Sequence, residues 1–107
     1  MSKYKNKRIV TPDGKFDSKR EYDRWGELRL LEKAGEISNL RRQQRYRLLP
    51  AQYNRARNER PVDYIADFVY QKNGRTVVED VKGKKTRDYI IKRKLMLYIN
   101  GISIQEV

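Results

Sequence analysis

Neither cysteine nor histidine occurs in the 107 residues. Their absence removes thiol nucleophiles, disulfides, imidazole base catalysis and zinc held by His or Cys together. Any metal ion must therefore be held by oxygen. Long apolar runs are missing too: nowhere do about 18 apolar residues follow one another, and Met1–Arg8 is polar and basic without an apolar signal core. A soluble, intracellular protein is expected, with no membrane partner and no small-molecule cofactor. Acidic residues are few, 14 Asp plus Glu against 26 Lys plus Arg, for a formal charge of +12. An excess of that size points to a polyanionic partner, nucleic acid foremost.

The length suits a single domain over residues 1–107, with no space for a separate recognition module. With 37% hydrophobic residues the core is modest, and a homodimer would support it. Residues 1–8 form an expected flexible basic arm, followed by a turn at Pro12-Asp13-Gly14.

Ser18 followed by Glu21 carries a capping-box signature, and Tyr22, Trp25, Leu28 and Leu31 then recur at helical spacing. The first helix is predicted from Ser18 to Ala34, stopped by Gly35. Arg41–Leu49 alternates like a strand and ends at Pro50, and the polar 52–61 segment reads as a surface loop ordered only by DNA. Val62–Tyr70 and Thr76–Lys82 are β-rich runs joined through Asn73-Gly74, a strong hairpin signal. Arg87–Asn100 is a second predicted helix, with Ile91, Leu95, Tyr98 and Ile99 as its core stripe and Gly101 as its stop. Ile102–Val107 reads as a last strand. The order is α-β-β-β-α-β around a small mixed sheet, an α/β fold.

A two-residue turn at Asn73-Gly74 pairs Lys72 with Arg75, and counting back sets Val69 opposite Val78 and Asp67 opposite Asp80. Side chains alternate along a strand, so Asp67, Asp80 and Lys82 share one face, while Ala66, Phe68, Tyr70, Val77 and Val81 occupy the other. Two aspartates opposed on a largely apolar hairpin repel one another unless a cation joins them. Such a pair fits Mg2+ or Mn2+, with Lys82 near enough to orient water or stabilise a phosphoryl oxygen. Glu21 lies on the helix stripe with Trp25 and Leu28, where it is placed to complete the site. Plainer readings stand beside these: a solvent-facing pairing of Asp80 with Lys82, and a Glu21 that only closes the capping box. Glu79 points to the opposite face and is not expected to ligate the same ion.

Glu21, Ala66-Asp67 and Glu79-Asp80-Val81-Lys82 together resemble the PD-(D/E)XK nuclease superfamily. The chain is similar to a small phage- and prophage-encoded branch of it. Phe16-Asp17-Ser18-Lys19-Arg20-Glu21, Tyr64-Ile65-Ala66-Asp67-Phe68 and Val78-Glu79-Asp80-Val81-Lys82-Gly83 carry that likeness. The resemblance implies a restriction-endonuclease-like core and metal-dependent DNA cleavage in the cytoplasm of a bacterial host. Catalysis would fall to Glu21, Asp67, Asp80 and Lys82, and the metal to Asp67, Asp80, the Val81 carbonyl and Glu21. Ala66 stands where the superfamily's name has proline. Some members of this size are Holliday junction resolvases that act as dimers, and a domain with no reading helix suits DNA shape better than base sequence.

Lys84, Lys85, Arg87 and Lys92 ring the expected site, and Arg41, Arg42, Arg45, Arg55 and Arg57, interleaved with Tyr46 and Tyr53, form a second cluster for phosphates or unpaired bases. Gln43 or Gln44 is a further candidate for orienting a phosphate or water. The leading reading is a structure-selective endonuclease acting on branched DNA in phage recombination or packaging. Its alternatives are a general or nicking endonuclease, and a non-catalytic DNA-binding protein.

Overall fold

The computed structural model describes residues 8–107; most of the expected basic arm lies outside the described residues. Two short strands come first, β1 (Ile9–Thr11) and β2 (Gly14–Phe16), antiparallel about the Pro12-Asp13 turn. Gly14 is held at φ 124°, and a Cβ there would meet Arg42 Nη1 at 2.9 Å. That backbone favours glycine, and any larger residue would have to displace the Arg42 guanidinium.

Helix α1 (Lys19–Lys33) begins where the capping signature placed it: the Ser18 hydroxyl accepts the Glu21 N–H. The reciprocal half of the box is not made, because the Glu21 side chain turns inward. Strand β3 (Ser38–Leu49) follows, longer at its start than its sequence pattern suggested. The 52–61 segment contains a small hairpin rather than only a loop, with β4 (Gln52–Tyr53) paired to β5 (Asn58–Glu59).

Strands β6 (Val62–Lys72) and β7 (Arg75–Asp80) form the predicted hairpin, with Lys72 opposite Arg75 and Val69 opposite Val78. Asn73 and Gly74 both take positive φ, 52° and 75°, as a turn matched to strand twist requires. The ladder ends at Phe68 opposite Glu79, one pair short of the expected Asp67–Asp80 pair. Beyond it Asp67 Oδ2 accepts the Val81 N–H at 2.8 Å, which takes the place of a backbone rung. Helix α2 (Arg87–Asn100) and β8 (Gln105–Glu106) complete the chain, and β8, shorter than predicted, lies parallel to β7. The main sheet runs β3-β6-β7-β8, a mixed α/β arrangement.

Two apolar clusters cover the sheet. Leu28, Ile37, Phe68 and Tyr70 pack on the α1 side, with Trp25 stacked on Phe68 at 6.0 Å. Tyr64, Ala66, Val69, Val78, Tyr89 and Met96 gather on the α2 side. Strict alternation puts Tyr64 and Ala66 with Phe68, yet they lie with Val69, so the strand exchanges faces around Asp67. The cause lies across the ladder. Arg42 pairs with Phe68 and Gln44 with Ala66, but between them Gln43, at φ 50°, makes no backbone pair with Asp67.

The predicted α2 stripe is also corrected. Tyr89 and Met96 are buried and Ile90 and Leu95 half-buried, whereas Ile91, Tyr98 and Ile99 face solvent, Tyr98 at 88%. A spacing of i, i+4, i+7 and i+8 marks a stripe but not which stripe the sheet covers.

Candidate functional site

A cleft of about 630 Å³ opens between the start of α1, the middle of β6 and the loop after β7. Glu21, Asp67, Asp80 and Lys82, predicted from three separate segments, all line it, as does Gln43. Ser18 and Thr86, whose side chains cap α1 and α2, line it as well. Both helices therefore turn their positive ends toward the same space.

Glu21 is brought inward by the first turn of α1 and is buried. Its Oε2 lies 3.3 Å from Gln43 Nε2 and 3.6 Å from Arg42 Nη2. Burial pushes its carboxyl above the usual range, the Asp17 charge adds to this, and Arg42 opposes it. Asp67 hangs from the break in β6, with Oδ1 3.3 Å from Gln43 Nε2. Its carboxyl is pushed up to about 7, mainly by burial; the Val81 N–H opposes this, and the neighbouring Asp80 and Glu21 charges add to it. Burial and like charges nearby both disfavour the ionised form of Asp67.

Asp80, 3% exposed at the end of β7, accepts the Tyr64 hydroxyl at 2.5 Å on Oδ2 and lies 3.3 Å from Lys82 Nζ through Oδ1. Lys82 Nζ also sits 4.4 Å over the Tyr89 ring. The strand is fixed from outside: β8 pairs beside it, and the Val107 N–H donates to the Asp80 carbonyl at 3.0 Å. Among the described residues no three carboxylates close on one point in a metal cage. Gln43 stands between Glu21 and Asp67, while Tyr64 and Lys82 hold Asp80.

Glu79, fully buried beside Asp80 in sequence, belongs to the other face. It accepts Arg24 Nε at 2.8 Å and Nη2 at 2.7 Å, and the Tyr70 hydroxyl as well. It takes no part in the cleft.

The expected DNA contacts divide. Arg42 is turned inward: Nη2 donates to the Lys15 carbonyl at 2.6 Å, Nη1 to that of Asp13 at 3.4 Å, and the guanidinium lies 3.8 Å from the Phe16 ring. It fastens the β1–β2 hairpin, and with so many partners it is not available to phosphates. Lys85 pairs with Glu106 at 2.9 Å and Arg45 with Asp63 at 3.1 Å. Arg41 donates to the Asn39 carbonyl, and Arg57 lies 4.0 Å from Glu59. Lys92 lines the cleft. Lys84, Arg55 and Arg87 are exposed.

Gln43 and Tyr64 are the site residues that sequence reasoning placed second or missed. Gln43 shared its candidacy with Gln44, and nothing in an alternating strand marks the positive φ that aims it. Tyr64 stands three residues before Asp67, on the wrong face of any regular strand.

The family described as protein of unknown function (DUF1064) matches residues 1–101. The chain belongs to that family. No curated protein and no solved structure matches it. The family match spans every cleft residue named above and stops before β8 and Val107; Glu106 and Val107 brace α2 and β7.

Proposed function

We propose that this chain is a divalent-metal-dependent endonuclease hydrolysing DNA phosphodiesters, structure-selective and acting as a homodimer on branched DNA such as a Holliday junction. The observation that carries the reading is the convergence of Glu21, Asp67, Asp80 and Lys82 on one cleft in a chain of charge +12. Carboxylates crowded into a desolvated space, one of them with its pKa pushed up to about 7, are what a hard dication would relieve.

The donor set is all oxygen, which suits Mg2+ or Mn2+. Asp67, Asp80 and Glu21 would hold the ion, together with the Val81 carbonyl, and the ion would supply Lewis acidity at the phosphodiester. The chain's own groups then have distinct tasks. Lys82, steadied by Asp80 and the Tyr89 ring, presents positive charge to a phosphoryl oxygen or orients the attacking water. The capped starts of α1 and α2 favour a phosphate between them. Gln43 keeps Glu21 and Asp67 directed at one point. The homodimer is supported by the solvent-facing Ile91, Tyr98 and Ile99 on α2, and paired cuts at a junction call for twofold symmetry.

A second reading is a non-catalytic DNA-binding protein, favoured by the lack of a closed three-carboxylate cage among the described residues. One assay separates the two: labelled junction, flap, nicked and linear DNA with Mg2+, Mn2+ or chelator. Metal-dependent cleavage of the junction, lost in Asp80→Ala, is expected. Binding without cleavage under every condition would remove the endonuclease reading.

A further inference from the structure

The basic cluster expected between Arg41 and Arg57 is two structures, not one. Its first half lies in the sheet, where Tyr46 is half-buried against the core and Arg42 is turned inward. Its second half is the β4–β5 hairpin, in which every residue from Gln52 to Arg60 is exposed.

This hairpin is closed on itself. Gln52 pairs with Glu59 and Tyr53 with Asn58, and Asn54 Oδ1 accepts the N–H groups of Ala56 and Arg57 at 2.9 and 3.1 Å. An asparagine bonded in this way builds the turn from its own side chain. Pro50 and Pro61, which have no N–H to give, stand at the base where the β3–β6 ladder ends. The result is a self-bonded, exposed finger at the end of the β3–β6 ladder.

Its chemistry is one-sided. Among the described residues the Arg55 and Arg60 guanidinium groups have no partner, and that of Arg57 meets only Glu59, at 4.0 Å. Tyr53 is 77% exposed, its ring on no other aromatic side chain and its hydroxyl without a partner among the described residues. From Asn58 to Asp67 the chain is extended except at Arg60 and Pro61. Asn58, the partner of Tyr53, therefore lies no more than roughly 30 Å from Asp67, at about 3.3 Å per residue. That is on the order of nine base-pair steps of duplex.

We propose that the β4–β5 finger binds single-stranded DNA flanking the duplex that enters the cleft, Tyr53 stacking on an unpaired base and Arg55, Arg57 and Arg60 holding the adjoining phosphates. Arginines alone would serve a duplex backbone, whose bases are already covered by their neighbours. A bare tyrosine among them has use for an open base face, and such stacking tolerates any sequence. The inference rests on the DNA-binding part of the proposed function and adds the feature by which the chain tells branched from linear DNA.

The test measures binding of the full chain in chelator, by anisotropy, to blunt duplex and to the same duplex with a single-stranded flank carrying 2-aminopurine. In Tyr53→Ala the affinity ratio of flanked to blunt duplex falls about tenfold, whereas Tyr53→Phe keeps it within about twofold. Wild type changes the 2-aminopurine fluorescence on binding and Tyr53→Ala does not. An unchanged ratio in Tyr53→Ala overturns the proposal, as does an equal loss in Tyr53→Phe. Tighter binding of single-stranded RNA than of the DNA flank overturns the choice of DNA. Because no metal is present, the outcome is independent of cleavage: a wild type that cuts nothing in Mg2+ yet loses its ratio in Tyr53→Ala leaves the finger standing and removes only the endonuclease.

Discussion

Gln43 reaches Asp67 across the one step at which β3 and β6 make no backbone pair between Arg42 and Arg47, its Nε2 3.3 Å from Asp67 Oδ1 and equally far from Glu21 Oε2. A single amide nitrogen thus answers two carboxylates. Gln43 is held at φ 50° to do so, a conformation that costs a residue other than glycine about 1–2 kcal/mol.

Replacing that amide with a third negative group should be tolerated only when a cation is supplied. Gln43→Glu is expected to lower the stability of the metal-free protein by roughly 2 kcal/mol, and Mg2+ or Mn2+ should return most of the loss. Melting with and without metal checks this. A variant as stable as wild type in chelator would mean that the three groups do not share one field.

Asp67 has its folded pKa raised to about 7, so the folded state keeps its proton better than the unfolded chain does. That contribution is complete below the ordinary carboxylate range and is lost as pH climbs from about 4 to about 7. Asp67→Asn escapes the loss and can still accept the Val81 N–H. Its unfolding free energy in urea should match wild type near pH 4 and exceed it at pH 8, by about 2–4 kcal/mol. An equal offset at both pH values would refute the assignment.

Glu106 behaves in the opposite sense. Tyr89, Lys85 and Arg93 hold its carboxyl down at about 2, so its stabilisation is present above the usual glutamate pKa and lost as pH falls toward 2. Glu106→Gln should be less stable than wild type at pH 7, with the gap closing under acid. Since β8 also braces β7, the same variant is expected to weaken cleavage while leaving Asp80 in place.

Glu79 and Asp80 are adjacent in sequence and separate in function, and two substitutions part them. Asp80→Asn should abolish cleavage with the fold intact. Arg24→Met strands the buried Glu79 charge and should cost about 3 kcal/mol or more, yet near-normal activity is expected at low temperature. Activity lost with Arg24 in a protein that remains folded would count against this division.

Ile91, Tyr98 and Ile99 face solvent on α2. Tyr98→Lys should convert a dimer to a monomer in light scattering behind gel filtration. A wild type that is monomeric at every concentration would end the dimer proposal.

Much of this was legible in the chain. Helix α1 starts at Ser18 because a hydroxyl there meets free N–H groups, and β6 turns into β7 at Asn73-Gly74 because those residues accept positive φ. The register to Phe68–Glu79 follows from that turn, and with it the separation of Glu79 from Asp80. These are local facts, decided by neighbours within a few residues. The face exchange around Asp67, the inward turn of Arg42 and the exposed side of α2 are not of that kind. Each depends on what a distant segment places opposite: Gln43 across the ladder, the β1–β2 carbonyls beneath a guanidinium, the sheet that takes Tyr89 and Met96 rather than Ile91 and Tyr98. Spacing and one turn were enough to place Glu21, Asp67, Asp80 and Lys82 as candidates and to align β6 with β7. Gln43 and Tyr64 join them through packing between distant strands, because a side chain's direction past a break in a strand is not fixed by counting residues.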